Sequence, residues 1–206
     1  MTLRPLSRNP TPSQHPTPRL NPLKAQPRLK TVQAEFLPGG RRVGFYPGTF
    51  DPFTIGHRDI TLRALAQFDE LVVGVALSAA KRPLLSLDER CSVIEQTLLP
   101  LCPGGKSLRV VGFDTLMIEA ARKEGAHCVI RGLRSSADFE SESQMAAINR
   151  QLAPELETMF LTAREEHRLV ASRIVRELLA FGGDINPYVP ANIARLLLSK
   201  AGKRPT

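Results

Sequence analysis

Tryptophan is absent from the 206 residues, and aromatic side chains make up only 5% of them. Stacking platforms for single-stranded bases are therefore scarce. Cysteine is scarce as well: Cys91, Cys102 and Cys128 are odd in number and widely spaced, without the paired spacing of a zinc site. That usage fits a reduced intracellular compartment rather than a disulfide framework. No apolar run approaches the roughly 20 residues needed to span a bilayer, and the N-terminus lacks the continuous apolar core of a signal peptide. The expectation is a cytoplasmic protein with no membrane partner.

Acidic residues are also missing from one region. The net charge is +8, but residues 1–40 hold six cations against Glu35 alone, a balance of +5 that leaves +3 for residues 41–206. The basic excess thus sits mainly in a segment that also carries eight of the seventeen prolines and few large apolar side chains. Such a stretch cannot bury enough surface to offset its ordering entropy. Residues 1–40 read as a disordered, proline-rich basic extension, and residues 41–206 as one domain. A nucleic-acid-binding module using the basic tail is the reading from another class, and nothing in the balanced remainder supports it.

From Arg41 onward short apolar runs alternate with helical periods. Strands are expected at 43–46, stopped by Pro47-Gly48, and at 70–77, 107–113, 127–132 and 157–162. Helices are expected at 57–68, 86–98, 114–125, 136–153, 172–183 and 190–200. Ser86 with Glu89 makes a capping-box signature, Asp114 reads as a cap and Gly125 as a stop. Five buried runs alternating with helices imply an α/β fold, a doubly wound five-stranded parallel sheet of Rossmann-like type. Ligands on such sheets bind beyond the carboxyl ends of the strands.

The stretch "FYPGTFDPFTIGH" (45–57) falls at the carboxyl end of the first strand. Gly48 permits close backbone approach, Thr49 offers a hydroxyl and an amide, and Gly56-His57 opens a helix whose unpaired N–H groups and dipole attract phosphate. An imidazole there can hydrogen-bond a phosphate oxygen and stabilise added charge.

"GTFDPFTIGH" resembles the T/H-x-G-H signature of the nucleotidyltransferase superfamily, and Thr54 in its first place resembles the phosphopantetheine adenylyltransferase branch. "SAAKRPLLSLDER" (78–90), "VIRGLRSSADFESE" (129–142) and "INRQLAPELE" (148–157) extend the likeness across roughly residues 42–200. The resemblance implies transfer of the adenylyl group of ATP to 4′-phosphopantetheine, giving dephospho-coenzyme A and pyrophosphate. A nicotinamide-mononucleotide adenylyltransferase of the same superfamily is the neighbouring alternative.

By that resemblance His57, Lys81 and Arg131 are catalytic. His57 stabilises charge on the α-phosphate, while Lys81 and Arg131 orient the pantetheine phosphate, and Thr49 holds it as it arrives. ATP is expected against Thr49, Phe50, His57, Gly132, Leu133, Arg134, Glu142 and the run His167, Arg168, Leu169, Val170, Ala171, Ser172 and Arg173. Met117 and Asn149 are expected beside the pantetheine arm. The run departs from the family's serine-rich pattern, since only Ser172 keeps a hydroxyl and Arg173 stands ready to supply charge instead. Mg²⁺ held mainly through the ATP phosphates, a homohexamer and feedback binding of coenzyme A are also implied. The attacking phosphate is already ionised near neutral pH, so no nucleophilic side chain or general base is expected.

Overall fold

The computed structural model describes residues 40–77 and 83–202. The extension expected over residues 1–40 lies, up to residue 39, outside the described residues, and so does Lys81. Five parallel strands, β1 (Val43–Gly48), β2 (Glu70–Ala76), β3 (Ser107–Phe113), β4 (Cys128–Leu133) and β5 (Glu157–Thr162), form one sheet in the order β3-β2-β1-β4-β5. Among the described residues, α1 (Ile55–Gln67), α2 (Leu87–Leu98), α3 (Met117–Lys123) and α4 (Ser136–Leu152) connect successive strands, and α5 (Ser172–Phe181) and α6 (Ala191–Lys200) follow β5. This is the doubly wound α/β architecture the alternation implied.

Alternation of side chains along the strands feeds two apolar layers. Tyr46, Leu71, Val73, Val75 and Ile130 point to one face, where α1, α2, α5 and α6 bury Ile60, Leu65, Ile94, Leu98, Val175 and Ile193. Val43, Phe45, Val72 and Val129 point to the other, against Ile118, Ala120 and Ala121 of α3. Each fully buried aliphatic or aromatic side chain contributes about 1.5–3 kcal/mol, so both layers are needed to hold a sheet that is apolar on both faces. None of the described helices is long and apolar enough to cross a membrane.

Two boundaries differ from the sequence expectation. The first strand does not stop at Pro47: it runs through Gly48, with Pro47 opposite Gly74 and Gly48 opposite Val75 of β2. On its other side β1 pairs with β4 only at Gly44↔Cys128 and Phe45↔Val129. The proline therefore falls where the ladder to β4 has already ended, and its missing donor breaks nothing there. Asp114 does not cap α3. The helix starts at Met117 behind an extended Leu116, with no side-chain cap bond. The capping box at Ser86 and Glu89 forms as the spacing suggested. The stop at Gly125 takes a positive φ of 69°, as a helix-ending glycine does.

Candidate active site

β1 and β4 part after Phe45, and their carboxyl ends flank a cavity of about 660 Å³. This is the switch point of the sheet, where neighbouring connections leave in opposite directions. Of the residues singled out in the sequence, Thr49, Phe50, His57, Arg131, Gly132, Leu133, Arg134, His167, Val170, Ala171, Ser172 and Arg173 line it. His57 and Arg131 thus share one space although they lie 74 positions apart in the chain.

His57 is fixed by the start of α1. Thr54 is the N-cap, its Oγ1 accepting from the His57 amide (3.3 Å) while its own N–H donates to His57 Nδ1 (3.0 Å). That reciprocal pair fits a capping box, with an imidazole in the place usually held by Glu or Gln. Because Nδ1 accepts, the ring proton sits on Nε2. Burial, reinforced by the positive charge of Arg134, pushes the His57 pKa down to about 4. The imidazole is therefore neutral at pH 7 and presents an N–H donor.

Of the two helix starts expected to meet phosphate, α1 is largely occupied and α5 is open. At α1 the Ile55 amide donates to the Tyr188 carbonyl (3.0 Å) and the His57 amide to Thr54, so little of that terminus is open. At α5 the N-cap is Ala171, which has no capping side chain. Among the described residues the amides of Ser172, Arg173 and Ile174, which open the ten-residue helix, find no partner. An uncapped helix start facing a cavity presents a dipole and free N–H groups suited to an anion. The Ser172 hydroxyl is already committed, donating to the Pro52 carbonyl at 2.8 Å and pinning α5 to the loop after β1.

Arg131 is held in a fork: Nε and one terminal nitrogen each donate to a Glu142 oxygen at 2.6 Å, and the other terminal nitrogen donates to the Pro47 carbonyl at 3.2 Å. The guanidinium so bridges β4 and β1 across the cleft. Arg134 pairs with Asp138, whose carboxylate also accepts from the Arg134 amide. Arg173 is 83% exposed, with Glu177 at the edge of ion-pair range. Glu142 does not line the cavity but braces Arg131 from behind. Arg168 donates to the Arg134 carbonyl at 3.3 Å from outside the wall, and Leu169 is 86% exposed. Met117 opens α3 and Asn149 is buried on α4, both away from this wall.

Tyr46, Asp51 and Arg176 are among the lining residues that escaped the sequence reading. Burial raises the Tyr46 phenol far above its ordinary range, so it stays protonated. Asp51, buried at the foot of the cavity, accepts from the Leu84 and Leu85 amides and from Arg176. Asp51 lies inside the quoted "GTFDP" stretch, and Arg176 follows Arg173 by one helical turn, so the spacing carried a signal. Among the described residues the lone buried side-chain nitrogen without a partner is His167 Nδ1, on the wall facing Gly56.

A glycine-containing turn after the first strand, an imidazole on the next helix and cations across the switch point define an α/β protein built to bring anions together. The family model for cytidylyltransferase-like proteins matches residues 45–178, most of the sheet and its helices. Among solved structures, a bifunctional NMN adenylyltransferase/ADP ribose pyrophosphatase from Francisella tularensis has the same fold, with a TM-score of 0.61 at 13% identity, over 78% of this chain and 49% of that one. Sequence relatives narrow the class. The phosphopantetheine adenylyltransferase of Caulobacter sp. (strain K31) is 48% identical over 162 residues, covering 79% of this chain and 99% of that protein. That of Rhodospirillum centenum is 46% identical over 160 residues, covering 78% and 87%. The chain belongs to the phosphopantetheine adenylyltransferase family.

Proposed function

We propose that this protein transfers the adenylyl group of ATP to 4′-phosphopantetheine, releasing pyrophosphate and forming dephospho-coenzyme A. The observation that carries the reading is that the His57 imidazole and the Arg131 guanidinium open into one cavity at the sheet's carboxyl end. The obstacle in this reaction is repulsion between two polyanions, so catalysis rests on positioning and on electrostatic stabilisation. The pantetheine phosphate meets Thr49 and Arg131, with Lys81 as a further cation. Its oxygen attacks the α-phosphorus in line as the bond to pyrophosphate breaks. Nε2–H of His57 donates to an α-phosphate oxygen as negative charge grows on it. The open amides of α5 and Arg173 hold the leaving polyphosphate, and Gly132, Leu133 and Arg134 hold the nucleoside side, with the 167–171 segment closing over the base. The pantetheine arm runs beyond the cavity toward Met117 and Asn149.

The wall offers guanidiniums, amides and an imidazole, and its Asp51 carboxylate is committed to Arg176 and two amides. Among the described residues no group of three or more His, Cys, Asp or Glu is placed to hold a metal. These donors suit Mg²⁺ that arrives on the ATP phosphates as part of the substrate, where it supplies charge neutralisation. Half-exposed Met145, Ile148 and Leu152, spaced three and four apart on α4, support association of copies on that face, read here as a homohexamer. Feedback by coenzyme A, binding where its precursor binds, and a cytoplasmic setting complete the proposal.

Incubation of the protein with ATP, magnesium and 4′-phosphopantetheine should give dephospho-coenzyme A and pyrophosphate in equal amounts. Nicotinamide mononucleotide in place of phosphopantetheine should release none. Pyrophosphate release with the mononucleotide alone would overturn the assignment. Light scattering of the purified protein tests the hexamer.

A further inference from the structure

Arg90, the fourth residue of α2, is 1% exposed, and no acidic side chain lies within ion-pair range of it among the described residues. Burying a guanidinium without a carboxylate is costly unless its donors are satisfied. Here Nε and one terminal nitrogen are satisfied by main chain. Nε donates to the carbonyls of Leu85 (3.2 Å) and Ser86 (3.3 Å), and one terminal nitrogen donates to those of Ala76 (2.8 Å) and Thr49. One side chain therefore fastens the ends of β1 and β2 to the start of α2.

The contact with Thr49 has a stereochemical consequence. In a trans peptide the C=O and the following N–H point in opposite directions. Arg90 draws the Thr49 carbonyl into the protein, so the Phe50 N–H is turned the other way. That amide has no partner among the described residues, and both Thr49 and Phe50 line the cavity. Phe50 takes a φ of 51°, a left-handed conformation that a bulky residue adopts only when its surroundings enforce it. Two constraints do so. The Thr49 carbonyl is gripped from below, and the Phe50 ring folds back over Gly48, where a Cβ would stand 2.7 Å from it. The ring also lies edge-on to His57, with centroids 5.1 Å apart.

We infer that Arg90 is a positioning residue for phosphoryl-group binding: by holding the Thr49 carbonyl inward it aims the Phe50 amide at a phosphate oxygen in the cavity. The inference rests on the reading of this cavity as the nucleotide and phosphate site. It assigns Arg90 no contact with substrate. Its positive charge alone is not the point, because a lysine would keep the charge yet could not fork to carbonyls on three segments.

The test uses full-length protein uniformly labelled with ¹⁵N and titrated with ATP and magnesium, for the wild type and for Arg90→Lys. In the wild type the Phe50 amide proton should move downfield on titration. In Arg90→Lys that shift should vanish, and kcat should fall about a hundredfold, the loss typical of one misplaced oxyanion donor. A variant that keeps the shift and a kcat within about threefold of wild type, a change too small for a lost donor, overturns the inference. So does a wild type in which His57 and Gly132 respond to ATP while Phe50 does not, although the functional reading then stands. A wild type in which no cavity residue responds removes both. Should Arg90→Lys fail to fold, Gly48→Ala displaces the Phe50 ring without touching the buried guanidinium. It should lose the same shift, and an unaltered Phe50 response and kcat there would equally overturn the inference.

Discussion

The two ends of the sheet handle charge in opposite ways. At the amino end, Arg41 and Arg109 pair with Glu70, Arg109 reaches Glu124 as well, and Arg42 and Lys106 share Asp69. Those charges face one another and close on themselves. At the carboxyl end, Arg131, Arg134, Arg173 and Arg176 line one cavity that contains a single carboxylate, Asp51. The acids that steady the other three, Glu142, Asp138 and Glu177, stand outside its lining. The same residue types thus act as structural ties where acids and bases meet directly, and as an anion trap where the acids are set behind the bases. Ion pairing by itself does not distinguish structure from function; the side on which the acid stands does.

The largest expected effect tests the trap at its centre. His57→Ala should lower kcat about a thousandfold, the scale of a donor lost from developing negative charge, while the KM for ATP rises far less. A variant with weakened affinity and unaltered turnover would remove His57 from the transition state. Acidification should follow in size. Because the folded His57 pKa is lowered to about 4 from 6.5, its neutral form contributes stability above pH 6.5 that is lost as the pH falls toward 4. Its Cε1 proton resonance should titrate near pH 4, and a midpoint near 6.5 would contradict the buried, capped imidazole. Glu70→Gln should cost about 1–2 kcal/mol of unfolding free energy by loosening a nearly buried, doubly paired carboxylate. It should leave kcat within about twofold of wild type, since no charge at the cavity changes. A large loss of turnover would show that the two ends are coupled. The smallest effect falls on the rim. Arg173→Ala should raise the KM for ATP up to about tenfold with kcat retained, because the side chain is mostly exposed and screened. An unchanged KM would mean that the α5 amides suffice without it.

Much of this arrangement was legible in the chain. Alternating apolar runs specified the parallel sheet, and the stretch around Thr49 and His57 fell at a strand's carboxyl end, as the topology demands. The unread parts share one physical cause, namely partners that are backbone groups remote in sequence. Arg90 gives no sign in the sequence of the carbonyls, 41 and 14 positions away, that converge on it. Ser172 reads as a phosphate ligand until its hydroxyl is found on the Pro52 carbonyl. The start of α1 reads as an open anion site, yet the Tyr188 carbonyl arrives from the far end of the chain to occupy its first amide. Pro47 marks a strand end by composition, but it is tolerated because the neighbouring strand has already turned away.

That early parting bears on how such a catalyst can diversify. β1 shares two paired positions with β4, whereas β2 meets β3 over seven. The floor of the cleft is thus a gap in main-chain bonding, not a hollow carved out by small side chains. Residues around its rim can be exchanged without refilling it, so selection is free to alter which molecule enters while the ground beneath the reacting phosphorus keeps its shape.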